Sequence, residues 1–108
     1  MRSFVVLVVL GFAAVSPAFA ASDPIEVTLE NHKFEPAEIH VRANEPFVLH
    51  VTNKDATPDE FDSHALGIEK VIAGGSDGII RVSPLPAGEY SFMGEFHAKT
   101  AQGSIVAE

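Results

Sequence analysis

Gly88-Glu89-Tyr90-Ser91-Phe92-Met93-Gly94-Glu95-Phe96-His97, closed a few residues later by Gly103-Ser104-Ile105-Val106, is the stretch from which the fold is read. Residues 89–96 alternate with period two, as a strand with one buried face does. Residues 104–107 end the chain and need a neighbour on at least one side, so they are expected to pair with residues 89–94. That pairing gathers residues 95–103 at one pole.

Outward from this stretch the same period recurs. Ile25-Glu26-Val27-Thr28-Leu29-Glu30 alternates, and so does Ala37-Glu38-Ile39-His40-Val41, beyond a turn-prone segment holding Asn31 and Pro36. Phe34, Ile39 and Val41 are expected to face the core. Phe47-Val48-Leu49-His50-Val51-Thr52-Asn53 is the most apolar strand, and it reads as central and covered on both faces. Residues 54–60 are polar and contain Pro58, so they read as a loop. Residues 63–68 could form a short helix capped by Asp62 or Ser63, with strand or irregular chain equally compatible. Gly74-Gly75-Ser76-Asp77-Gly78 is a turn, residues 79–82 a short strand, and Pro84-Leu85-Pro86 a break. Seven or eight short strands without an amphipathic helix predict an all-β, Greek-key β-sandwich.

The first twenty residues read as a secretory signal. Arg2 precedes an apolar run ending at Val15, and Ser16-Pro17-Ala18-Phe19-Ala20 carries an Ala-x-Ala cleavage pattern. Cleavage after Ala20 would leave residues 21–108 as one exported domain, expected in the periplasm. Its stability margin should be narrow, and the chain has no cysteine to staple it.

The whole chain has 7 Lys+Arg against 15 Asp+Glu, a formal charge of −8; without Arg2 the 6 remaining basic residues leave −9. Nucleic acid is an unsuitable partner, because a phosphate backbone recruits clustered cations. Metal cations and basic protein surfaces suit this balance. No nucleophile elbow and no phosphate-cradling glycine loop is present.

Two clusters could carry chemistry. Glu95 and His97 stand two apart where a strand runs out; in extended chain both would lie on one side, within reach of one ion, although a solvated loop pair gives the same pattern. Asp59-Glu60-Phe61-Asp62-Ser63-His64, with Glu69 following, packs carboxylates densely enough to require either solvent or a cation. Such oxygen-rich sets suit Fe, Mn, Zn or oxidised copper. His32, in a turn, His40, on a polar face, and His50, in the apolar strand, fit structural roles better than ligation. Met93 fits core filling, or an edge ligand for copper.

With these residues in view, the chain resembles the cupredoxin-like subunit of bacterial periplasmic ferrous-iron uptake systems. The resemblance runs from Phe34-Glu35-Pro36 through Asn53, Glu60-Phe61-Asp62-Ser63, Glu69-Lys70-Val71 and Gly88-Glu89-Tyr90 to Gly94-Glu95-Phe96-His97 and Gly103. In cupredoxins this last frame carries a cysteine where Gly94 stands and a methionine near Ala101. Blue copper needs a His2Cys set, so an ordinary blue-copper electron carrier is excluded.

The resemblance implies a cupredoxin-like fold and a role in iron import, with Fe or Cu as the bound ion and a ferroxidase-like step before the permease. It implies a periplasmic iron-binding protein and an iron permease as partners, the chain reaching the membrane only through them. The implied metal set is Glu60, Glu95 and His97, with Glu69 and Asp62 as further ligands or supports. Two other functions fit the same residues: an acidic module docking onto a transport partner without metal, and a copper carrier using Met93 and His97.

Overall fold

The computed structural model describes residues 23–108, together with Ser3 and Gly11. The expected secretory signal therefore lies outside the described residues. Nine strands follow in chain order: β1 (Ile25–Glu30), β2 (Lys33–Glu35), β3 (Glu38–Val41), β4 (Phe47–Asn53), β5 (Asp59–Ser63), β6 (Ile68–Ile72), β7 (Asp77–Val82), β8 (Gly88–Gly94) and β9 (Gln102–Ala107). Among the described residues one 3-10 turn, Glu95–His97, is present, between β8 and β9. Among the described residues no helix is long and apolar enough to cross a membrane.

The strands form two sheets, ordered β2-β1-β4-β7 and β3-β9-β8-β5-β6. The chain crosses repeatedly between them, which places β1 parallel to β4 and β3 parallel to β9, while the other pairs are antiparallel. The expected pairing of the last strand is present, with Tyr90 opposite Ile105 and Phe92 opposite Gly103. Among the described residues the count is nine rather than seven or eight. The three-residue β2 and the β5–β6 hairpin are too short to show a period of their own.

One reading left open is decided and two local expectations are corrected. Residues 64–67 make a turn between β5 and β6 and no helix; pairing of Ser63 with Ile68 closes a hairpin there. β5 begins at Asp59, so Glu60 belongs to a strand and not to a loop. Proline ends the preceding loop at Pro58, where its missing N–H costs the ladder nothing. β4 is central but not covered on both faces: its odd-numbered residues are buried and its even-numbered ones half-buried.

The core lies between the sheets. Phe34, Ile39 and Val41 are buried in it with Leu29, Leu49, Val51, Phe61, Phe92 and Ile105. Phe34, Phe61 and Phe92 form an aromatic cluster, Phe61 stacked on Phe92 at 4.8 Å and Phe34 set edge-on to both. Because side chains alternate along β5, Asp59 and Ser63 share the inner face with Phe61, while Glu60 and Asp62 share the outer one. This alternation divides the pole into two layers.

Asn53 ties the loops of that pole together. It is fully buried; its Nδ2 donates to the Thr57 and Ile72 carbonyls at 2.9 and 3.2 Å, and its Oδ1 accepts from the Asp55 amide at 3.0 Å. Gly74 must be glycine for close approach, since a Cβ there would stand 2.1 Å from the Ala56 carbonyl oxygen.

Candidate metal centre

On the outer layer, Glu60, Asp62 and Glu95 converge, with one carboxylate oxygen from each within 4.8 Å of the others. Asp62 is buried at 4 % exposure, Glu60 is half-buried and Glu95 is exposed. Glu60 and Asp62 arrive from alternate positions of β5, and Glu95 from the 3-10 turn that β5 packs against. Hydrogen bonding to Glu60 and then to Asp62, reinforced by their charge, pushes the Glu95 carboxyl up to about 7. When protonated, Glu95 can donate to its carboxylate neighbours, and that proton offsets the repulsion among the three. A cation would replace that proton.

The inner layer is built around Asp59, whose side chain is buried. Its Oδ1 accepts the amides of Glu60 at 2.8 Å and Phe96 at 3.1 Å, and its Oδ2 bonds His97 Nδ1 at 3.0 Å. A carboxylate only accepts, so His97 carries its proton on Nδ1 and presents an unprotonated Nε2 when neutral. The His97 ring stacks on that of His32, with centroids 3.6 Å apart and planes at 11°.

The sequence-derived set is thus divided. Glu60, Asp62 and Glu95 meet; His97 lies with Asp59 and His32 in the other layer and is not part of the carboxylate group. Glu95 and His97 were expected on one side on the assumption of extended chain. They stand instead in a 3-10 turn, where three residues complete a revolution and positions two apart point in different directions. Glu69 is register partner to Asp62 on β6 but is exposed and stands outside the group. Met93 is half-buried opposite Asp62 on β8.

Two of the other histidines are occupied elsewhere, while His64 is exposed on the turn between β5 and β6. His50 bridges Glu26 and Asp77, and His40 meets Glu108. Sequence reasoning missed Asp59 and His32 as neighbours of His97. The parity of Asp59 with the core residue Phe61 was the available signal for the first, and nothing local signalled the second.

The blue-copper set does not fit this pole. A Cβ on Gly94 would stand 2.6 Å from Asp59 Oδ2 and 2.8 Å from the Ala101 methyl. The room a cysteine would need is filled by the carboxylate that binds His97. Fully buried Ala101 closes the other side.

Comparison with known proteins agrees with this architecture. Residues 3–107 match the cupredoxin-like domain. An uncharacterized protein of Rickettsia prowazekii (strain Madrid E), RP394, is 37% identical over 82 residues, covering 76% of this chain; the match spans 66% of that protein's length.

Among solved structures, the metal-binding domain of the Cu(I)-exporting P-type ATPase CopA of Streptococcus pneumoniae D39 superposes with a TM-score of 0.67 at 21% identity, covering 79% of this chain and 84% of that one. A copper-binding protein solved in its apo form gives 0.69 at 22% identity, covering 79% and 86%. Amicyanin from Paracoccus versutus gives 0.62 at 18% identity, covering 81% and 83%. At these identities the likeness to the solved structures is one of fold. By the match along nearly its whole length, the chain belongs to the cupredoxin-like domain family.

Proposed function

We propose that this protein handles iron during import in the bacterial periplasm, taking the ion as cargo on Glu60, Asp62 and Glu95. The observation that carries the reading is the convergence of three carboxylates within 4.8 Å, one of them buried. Like charges at that spacing repel, and their placement is favourable only with a proton or a cation among them. An all-oxygen set is hard, which suits iron and also oxidised copper.

The chemistry open to such a site follows from its charge. Ionised carboxylates stabilise Fe(III) more than Fe(II), so they lower the potential of a bound iron. Loss of one electron to an external one-electron acceptor becomes easier, and the oxidised ion is then passed on. In this reading the partners are a periplasmic iron-binding protein and an iron permease.

Anaerobic calorimetric titration with Fe(II) tests the binding. Micromolar uptake is expected, with Glu60→Ala and Glu95→Ala each weakening it more than tenfold. Absence of Fe(II), Cu(II) and Mn(II) uptake below millimolar concentration would remove the reading. Oxidation is tested separately, by the rate of Fe(III) formation on adding an acceptor with and without protein.

A metal-free docking role is favoured by one feature. Exposed Phe96 and Val71 adjoin the carboxylates, Val71 as the register partner of Glu60. Capture of a transport partner that survives chelation would favour that role.

A further inference from the structure

We infer that the rim of the carboxylate group is the surface on which a partner protein docks to receive the ion, and that the partner does so with an arginine set among apolar residues, its guanidinium replacing the ion between Glu60, Asp62 and Glu95. This rests on the reading of the three carboxylates as the place of the ion, and it adds how the ion leaves them.

Asp62 supplies the first observation. It stands on the outer face of its sheet yet is only 4 % exposed, and its carboxylate converges with those of Glu60 and Glu95 within 4.8 Å. On the inner face Asp59 is satisfied by two amides and an imidazole. Among the described residues no amide, hydroxyl or basic side chain does the same for Asp62, so a buried carboxylate is left open toward whatever enters the group.

The second observation is what borders it. Val71 is 58 % exposed on β6, the outermost strand of its sheet, as the register partner of Glu60; Phe96 is 51 % exposed and follows Glu95 in the 3-10 turn. They are two of the three large hydrophobic residues left exposed among the described residues, and both adjoin the carboxylates. A small cation would leave them uncovered. An apolar partner without a positive charge would cover them but would bury the carboxylates uncompensated. A segment carrying both features satisfies the whole rim, and the negative charge of the chain, −8, steers a basic surface toward it. Arginine fits better than lysine: its planar guanidinium offers several N–H donors to more than one carboxylate and lies against an aromatic face such as that of Phe96.

Ion and guanidinium exclude one another. Three oxygens within 4.8 Å enclose room for one cationic group, and a second there would meet like charge at close range. If the ion simply departed, the carboxylates would be left to repel one another, with Asp62 buried among them. A guanidinium that enters as the ion leaves keeps the charge compensated throughout.

Random heptapeptides displayed on phage, selected on the metal-free full chain, supply the probe. Sequences with arginine beside leucine, isoleucine, valine or phenylalanine should be enriched. One of them, synthesised with a fluorescent label, should lose roughly tenfold or more in affinity when citrulline, neutral and of similar shape, replaces its arginine. Saturating Mn(II), used as a redox-inert ion, should weaken the peptide roughly tenfold or more, and the peptide should weaken Mn(II) by the same factor. Phe96→Ala, at an exposed position, should weaken the peptide about tenfold and leave Mn(II) affinity within about twofold.

Selected peptides without arginine would overturn the inference, as would a peptide and Mn(II) that bind together with no loss to either. So would full peptide affinity in Phe96→Ala. If Mn(II) does not bind the wild type while the arginine peptide binds through Phe96, the ion reading fails and the exchange with it, whereas the docking surface stands.

Discussion

Asp59 occupies the space in front of Gly94: its Oδ2 lies 2.6 Å from where a Cβ on Gly94 would stand, while hydrogen-bonding His97 at 3.0 Å. The carboxylate is pinned by two amides and an imidazole, so it cannot swing aside cheaply. Glycine at position 94 is thus a packing requirement of Asp59, and the absence of cysteine from this loop has a local structural reason.

Gly94→Cys should therefore not restore a blue-copper centre. The added side chain overpacks the pole and should destabilise the protein by about 1–3 kcal/mol. Pairing it with Asp59→Ala should give the sulfur room but leave the amides of Glu60 and Phe96 without their acceptor. Thermal unfolding, and visible absorption after Cu(II) addition, would check both variants.

The protonation of Glu95 predicts a pH dependence with a definite sign. Its carboxyl is raised from 4.5 to about 7 by hydrogen bonds and charge from Glu60 and Asp62. The folded state then holds a proton that the unfolded chain has released, so stability should fall as pH rises from about 4.5 to about 7. Metal competes with the same proton, so affinity should climb over that range. Glu95→Gln should flatten the stability profile and weaken metal binding at pH 8, as measured by thermal midpoints and calorimetry at several pH values.

His50 predicts a dependence of the same sign, set at higher pH, on the other sheet. Its two ring nitrogens lie 2.7 Å from Glu26 and 2.6 Å from Asp77, which requires both to carry protons, and the hydrogen bond to Asp77 followed by that to Glu26 raises it above 6.5. Asp77 is lowered from 3.8, chiefly by the same bond to His50. The clamp across β1, β4 and β7 should be fully formed below the ordinary histidine pKa of 6.5 and be lost as pH rises through the raised value. It should also fail as pH falls through the lowered pKa of Asp77. The difference in thermal midpoint between wild type and His50→Ala should accordingly be greatest near pH 5–6 and close at higher pH.

Asn53→Ala should be among the costliest single changes. It leaves the Thr57 and Ile72 carbonyls and the Asp55 amide without their side-chain partner in a buried position. A loss of about 2–3 kcal/mol is expected. In a domain of this size that is a fall of roughly 10–20 °C in thermal midpoint.

The strand order of the closing segment was legible because alternation along residues 89–96 and 104–107 is a local property that burial of one face imposes. The same local rule predicted Phe34, Ile39 and Val41 inside. It left residues 63–68 open, because their few apolar positions satisfy a turn, a strand or a helix alike, and it failed for β4, whose continuous apolarity concealed a half-buried face.

At the site, residue types alone identified the acidic run at 59–62 and the Glu95/His97 pair as the chemistry-bearing parts, and the missing cysteine excluded blue copper. Which of these side chains meet was a tertiary matter. One 3-10 turn rotates His97 away from Glu95, strand parity sends Asp59 inward and Glu60 and Asp62 outward, and a hairpin turn more than sixty residues upstream lays His32 across His97. Local periodicity carries information about which face a residue occupies. Only the packing of distant segments determines what waits on that face, because those contacts are selected by the fold as a whole and leave no pattern along the chain.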